Sequence, residues 1–283
     1  MTMRAGDADG LRRLSLNQAT VRQWSLAELV AGCVDAGVRA VGLWREPVAE
    51  YGLDRAAKLV RDAGLTVTSL CRGGFFTDAD RAARRRALDD NRRAIEEAAR
   101  LGSPVLALAC GGLPDGDRDL DGARRRVIEA LAELAPHAAA HGVRLAIEPL
   151  HPMYCSDRSV IVTLAQALDL AERFSASQVG VMVDAYHVWW DPQLAAQLTR
   201  AGRRIAGFQV ADWATPLPQG ALLGRALPGE GRIELRRLRQ AVDTAGYRGA
   251  IEVEVFNQRL WSLPGRELLD RVVASYLRHL AEP

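Results

Sequence analysis

The hydrophobic period of this 283-residue chain switches repeatedly between two and 3.6 residues, and that alternation restricts the fold more than any other feature. Short apolar, β-branched runs occur at Leu14–Asn17, Val38–Trp44, Leu65–Cys71, Pro104–Cys110, Val143–Glu148, Val179–Asp184, Ile205–Ala211 and Ala250–Phe256. Longer Ala-, Leu-, Arg- and Glu-rich stretches with helical spacing separate them, at Leu26–Ala36, Leu53–Ala63, Ala79–Leu101, Ala123–His141, Ile161–Phe174 and Leu235–Ala245. A last helix is expected over Pro264–Leu280, with proline in its first turn. Five junctions share one punctuation, a helix ending at Gly37, Gly64, Gly102, Gly142 or Gly246 shortly before a strand. Glycine takes the left-handed C-cap conformation without steric cost, so these read as helix-to-strand loops. Strands joined only through helices must pair in parallel. Eight such units in 283 residues average about 35 residues each, the size of a unit in a (β/α)8 TIM barrel. The expectation is a single α/β barrel domain over residues 1–283, with residues 1–10 flexible. No GxGxxG follows the first strand, and Gly73-Gly74 and Gly111-Gly112 read as glycines of strand-to-helix loops.

Composition removes several classes. Lys and Arg number 37 against 35 Asp and Glu, a net charge of +2, which suits neither a nucleic-acid nor a membrane-surface binder. Apolar runs break within about eight residues, far below the ~20 that span a bilayer. Met1–Gly10 is polar and no apolar stretch follows, so no secretory signal is expected. Cys33, Cys71, Cys110 and Cys155 show no CxxC spacing, which fits reduced thiols in a cytoplasmic protein.

In a TIM barrel the active site lies at the C-terminal ends of the strands. Four successive strands end in a polar side chain among apolar neighbours: Glu148, Asp184, Gln209, and either Glu252 or Glu254, which share one face. Buried carboxylates cost several kcal/mol unless paired or bound to a cation. A divalent ion held by Glu148, Asp184, Gln209 and Glu254 would resolve their repulsion, and these hard oxygen donors suit Mn²⁺ or Mg²⁺. The competing reading pairs each acid with an arginine at the rim.

The segments Ile147-Glu148-Pro149-Leu150-His151-Pro152, Val183-Asp184-Ala185-Tyr186-His187, Phe208-Gln209-Val210-Ala211-Asp212, Pro228-Gly229-Glu230-Gly231 and Glu252-Val253-Glu254 run in order along nearly the whole chain. Together they resemble the xylose isomerase-like TIM-barrel superfamily, which includes ketose 3-epimerases, hydroxypyruvate isomerases and inosose dehydratases. The resemblance implies one divalent metal, commonly Mn²⁺, on the two glutamates, the aspartate and the strand-seven residue. Gln209 at that last position is closer to the hydroxypyruvate isomerase pattern. The resemblance also implies chemistry beside a carbonyl: Glu148 and Glu254 exchange a proton through a metal-bound enediolate, with the choice of base left open. Reprotonation gives an isomerase or epimerase; loss of a β-leaving group gives a lyase or dehydratase acting on an oxo-sugar, inosose or 3-oxo-glycoside. His187, in the D-x-x-H arrangement, is expected to donate to a substrate oxygen or to support a metal ligand.

Trp44, Trp189, Trp190, Trp213 and Trp261 follow strands, as do Phe75, Phe76 and Tyr154. Such rings suit a sugar, polyol or glycoside, or else loop packing and a subunit interface. His151, Trp190, Trp213 and Arg225 are the candidate substrate contacts, with Arg225 or Arg72 available to an anionic group. His137, His141 and His279 read as surface residues. A homo-oligomer, or association with a partner subunit, is expected. A DNA-repair endonuclease on the same barrel is disfavoured, because only two of five histidines fall at the mouth. The arginine runs at Arg84–Arg86, Arg124–Arg126 and Arg236-Arg237 likewise read as solvated helix faces. A non-catalytic sugar-binding barrel is disfavoured by the intact carboxylate set.

Overall fold

A computed structural model describes residues 9–218 and 221–281. Eight strands close into one parallel barrel: β1 (Leu14–Asn17), β2 (Ala40–Trp44), β3 (Thr66–Gly74), β4 (Val105–Ala109), β5 (Arg144–Ile147), β6 (Val179–Asp184), β7 (Ile205–Val210) and β10 (Ile251–Val253). Their order around the barrel follows the chain, and β10 closes on β1 with Leu14 opposite Ile251. The remaining strands, β8 (Asp212–Trp213) and β9 (Arg225–Ala226), form a small antiparallel ribbon beyond β7. The expected (β/α)8 barrel is therefore the observed one. Residues 1–8 of the expected flexible terminus lie outside the described residues. Asp9 and Gly10 form a helical turn in which the Arg12 N–H donates to the Asp9 carbonyl.

Local chemistry sets the elements. The helix Leu26–Asp35 starts at a capping box, with Ser25 and Glu28 satisfying each other's backbone N–H groups. Asp80 and Asp119 cap the two 21-residue helices Arg81–Leu101 and Leu120–Ala140. Gly37, Gly64, Gly102 and Gly142 have φ between 66° and 72°, the left-handed conformation expected at these helix ends. Four helices lie outside the expected ones, Arg45–Tyr51, Ala185–Val188, Leu194–Ala201 and Gln258–Trp261; all are too short to establish a helical period. Gly73 and Gly74, expected in a loop, belong to β3 instead. There Gly74 pairs with Ala109 at φ 116°, and a Cβ at that position would overlap the Ala109 carbonyl oxygen. The close approach of two backbones excludes any side chain.

Apolar residues separate onto two surfaces. Ile147, Val183, Phe208, Val210, Ile251, Val253 and Val255 join the large core between sheet and helices. Cys71, Val105, Ala107, Ala146 and Met182 form a separate, small cluster inside the barrel. Since side chains alternate along a strand, Ala146 and Met182 facing inward oblige Glu148 and Asp184 to do so as well. The outward Phe208, Val210, Val253 and Val255 likewise leave Gln209, Glu252 and Glu254 facing inward. Among the described residues, no helix is long and apolar enough to cross a membrane.

Candidate active site at the barrel mouth

Two polar layers occupy the C-terminal half of the barrel. In the lower one, Glu252 Oε1 accepts from Asn17 Nδ2 at 2.7 Å and Gln209 Nε2 at 2.9 Å, while Oε2 accepts from Thr68 Oγ1 at 2.6 Å and Ser69 Oγ at 2.9 Å. Gly42 faces this carboxylate, and a Cβ there would collide with it. Glu252 is thus a carboxylate held by donors from β1, β3 and β7, below the mouth. Of the two acids on the eighth barrel strand, it is Glu254 that reaches the rim.

The upper layer holds Glu148, Asp184, Glu254, His187 and Arg225. Glu148 and Glu254 lie one residue past the ends of β5 and β10, and Asp184 ends β6. Arg225, from the β9 ribbon, donates through Nη1 to Asp184 Oδ2 at 2.8 Å and approaches Glu254 Oε2 at 3.1 Å. It also donates to the Glu254 carbonyl, and its guanidinium lies over the Tyr186 and Phe256 rings at 4.7 and 5.1 Å. The competing reading therefore holds in part: Asp184 and Glu254 are paired with an arginine. It fails for Glu148, whose carboxylate receives no hydrogen bond from the described residues and lies 3.9 Å from His187 Nε2. Gln209 Oε1 is buried and also without a partner.

The charge balance is visible in the proton affinities. Burial, then the Glu254 and Asp184 carboxylates, push Glu148 well above the ordinary carboxylate range. Burial raises Glu254 to about 8, with Arg225 opposing it and Asp184 and Glu252 adding to it. Burial works against the charge of Arg225, but Asp184, Glu254 and Glu148 outweigh it and raise its pKa. His187 is lowered to about 3, chiefly by burial. Its Nδ1 faces the His151 backbone N–H at 3.2 Å and its Nε2 faces Arg225 Nη2 at 3.1 Å. Nδ1 accepts from the His151 N–H, which leaves the ring proton to Nε2 and disfavours a second proton on the imidazole.

A cavity of about 150 Å³ opens here, lined by Glu148, His187, Arg225 and Glu254 together with Trp44, Cys71, Arg72, Phe75, Ala109, Leu150, Tyr154, Arg158, Leu222 and Phe256. Three expected substrate contacts are not on its wall. His151 instead packs against Trp190 and Trp213, at ring separations of 5.7 and 5.1 Å, and Trp213 stacks on Tyr186. Of the aromatic rings singled out by sequence position, Trp189, Trp190 and Trp213 fall in this packed cluster, and Trp44, Phe75 and Tyr154 line the cavity. Arg225 does line the cavity, with both Nη atoms on protein groups and a buried Nε that has no hydrogen-bond partner among the described residues. The sequence reading passed over Arg158 altogether, because it sits in an irregular loop far from any strand end. Asp212 supports the site indirectly, accepting from Gly229 N and Ile233 N to hold the Pro-Gly-Glu-Gly loop against the ribbon. On the outer helices His137 lies 3.5 Å from Glu96 and stacks near His141.

This geometry can be set beside known proteins. The model of the xylose isomerase-like TIM barrel family matches residues 30–278. The chain belongs to that family. A 3-dehydroshikimate dehydratase of Pseudomonas aeruginosa is 28% identical over 252 residues, covering 86% of this chain but only 38% of the relative. The chain thus spans about two fifths of that dehydratase. An inosose isomerase of Halalkalibacterium halodurans is 23% identical over 91% of this chain and 92% of its own. A crystal structure of a Sinorhizobium meliloti protein, 46% identical, superposes with a TM-score of 0.93 over 95% of this chain and 98% of the other. The family's named relatives here are enzymes: isomerases, epimerases and dehydratases.

Proposed function

We propose that the mouth is the active site of a divalent-metal-dependent sugar isomerase or epimerase, which acts by removing a proton next to a carbonyl. One observation carries the reading. Glu148, Asp184 and Glu254 converge at the mouth, where Arg225 pairs with Asp184 and Glu254 only, while among the described residues the Glu148 carboxylate and Gln209 Oε1 receive no hydrogen bond. Unpaired buried carboxylates are costly, and a cation satisfies them together. Glu148, Asp184, Gln209 and Glu254 present only hard oxygens, which fits Mn²⁺, with Mg²⁺ or another divalent ion served by the same donors. Bound there, the metal would acidify a proton beside a chelated carbonyl.

The chain's own residues supply the rest. Glu148 and Glu254, from opposite parts of the barrel rim, are the pair that takes and returns the proton. Burial raises the proton affinity of both, which favours carboxyls that can hold a proton as well as release one. His187 lines the cavity with both ring nitrogens engaged by His151 N and Arg225 Nη2, and so supports the Asp184–Arg225 pair. Arg225 holds Asp184 and Glu254 in position. The substrate is a small oxo-sugar, polyol or glycoside, and the four free cysteines suit a reducing cytoplasm. A lyase or dehydratase outcome uses the same proton removal, and the dehydroshikimate dehydratase relative favours it as the second reading.

Solvent deuterium exchange into a panel of ketoses, inososes and 3-oxo-glycosides under added Mn²⁺ tests the reading. Exchange should require the metal, and Glu148→Gln or Glu254→Gln should reduce it at least about 10³-fold with the fold retained. Exchange that persists undiminished in either variant refutes the assignment.

A further inference from the structure

Resting on that reading, we propose that Arg72, Arg158 and Tyr154 form an anion subsite that holds a carboxylate on the substrate, so that the enzyme acts on an oxo acid rather than a neutral sugar.

Asp184, Gln209, Arg225 and Glu254 come from the β6–β10 side of the mouth, and Glu148 follows β5. Arg72, near the end of β3, and Tyr154 and Arg158, in the loop after β5, come from the β3–β5 side. All three of the latter line the cavity, and all three have unused donors. Among the described residues Arg72 makes no hydrogen bond or ion pair; its guanidinium lies over the Phe75 ring at 4.5 Å. Arg158 Nε is buried with no hydrogen-bond partner, its nearest acid being Asp157 Oδ2 at 3.6 Å. The Tyr154 hydroxyl is buried and likewise has no partner. Burial lowers the pKa of Arg72, with Arg158 adding to the effect and Glu46 opposing it, so the two cations repel across the site.

Buried donors without acceptors are expensive, and native proteins keep few of them. Two of them, Tyr154 Oη and Arg158 Nε, share one cavity wall with the unpaired Arg72 guanidinium, and the described residues supply no acceptor to any of the three. A carboxylate supplies it: two oxygens, a delocalised charge that relieves the Arg72–Arg158 repulsion, and a plane that matches a guanidinium fork. Arg225 is the poorer candidate: Asp184, Glu254 and His187 engage both of its Nη atoms, and only its Nε is left without a partner. The substrate would therefore lie with its anionic end toward β3–β5 and its carbonyl toward Glu148 and Glu254.

Calorimetry on the Mn²⁺-loaded protein, run beside solvent exchange, tests this with four probes: 3-dehydroshikimate, its methyl ester, a neutral inosose and a ketose phosphate. The acid should bind at least about tenfold tighter than its ester. Arg72→Gln and Arg158→Gln should each weaken the acid roughly 10- to 100-fold, the worth of a charge-assisted contact, and the neutral probes by no more than about twofold. Arg158→Lys should recover part of the loss, since it keeps the charge without the fork. Thermal melts of each variant separate these effects from loss of fold. Acid binding no tighter than the ester's, uniform weakening of all probes, or tighter arginine-dependent binding of the phosphate overturns the proposal. Failure of the underlying reading looks different: arginine-dependent acid binding with no metal-dependent exchange in any probe. Metal-dependent exchange in the inosose, with acid and ester bound equally, leaves that reading standing and removes the subsite.

Discussion

Replacing Glu252 removes the one acceptor shared by Asn17, Thr68, Ser69 and Gln209, and the cost can be worked from its hydrogen bonds. In Glu252→Ala the Thr68 hydroxyl can turn wholly to the Val41 carbonyl, 3.1 Å away, or to Ser15 Oγ at 2.8 Å. The amide of Asn17 has no such alternative, that of Gln209 has only the weak acceptor Cys71 Sγ at 4.0 Å, and Ser69 Oγ makes no other hydrogen bond among the described residues. Two or three orphaned buried donors at about 1–3 kcal/mol each, softened by water entering the vacated space, give roughly 3–6 kcal/mol. Glu252→Gln behaves differently. Its oxygen can keep the Asn17 and Gln209 amides at the Oε1 position, while its new NH2 donates to the Thr68 and Ser69 hydroxyls, which rotate to accept. What it loses is charge assistance, and less repulsion of Glu254 offsets part of that, leaving about 1–2 kcal/mol. Urea unfolding of the metal-free protein measures both values, and at about 2–4 °C per kcal/mol thermal melts rank them. An alanine variant within about 1 kcal/mol of the parent, or a glutamine variant as damaged as the alanine one, would show that the network under the mouth does not hold it together.

Two further outcomes follow from the same geometry. Gly74→Ala should destabilise the protein by more than about 3 kcal/mol, because both the φ of 116° and the Ala109 carbonyl exclude a Cβ; a melting temperature within a degree of the parent refutes that packing. Adding Mn²⁺ to chelator-treated protein should raise stability by about 2.7 kcal/mol at a hundredfold excess over Kd, and Glu148→Gln should diminish the shift, which differential scanning calorimetry would record. No shift in the parent would remove the cation from the site.

The strands that carry the site were legible because a buried parallel strand leaves a compact apolar run, and a polar residue at its end stands out against it. Asp184 and Glu148 are of this kind. Glu252 and Glu254 could not be separated in the same way: both face inward, and only the height of β10 against β7 and β1 puts one below the mouth and the other on it. Arg225 stands out by its loop, but nothing local shows that its guanidinium folds back onto Asp184 across 41 residues. His151, Trp190 and Trp213 were given to the substrate because aromatics after strands suit sugars, whereas side-chain packing turns them toward one another.

Periodicity and glycine punctuation, both local properties, determined the barrel, because eight alternating units of this length have few other ways to bury their apolar faces. The inward direction of the four site strands' polar residues follows from the same alternation. Only the tertiary structure decided which charges meet. Arg72 from β3 and Arg158 from the loop after β5 are 86 residues apart, and closure of the barrel brings both to one small cavity with their donors unused. Pairing across a barrel depends on loop paths and side-chain rotamers, quantities that a pattern of hydrophobicity does not encode.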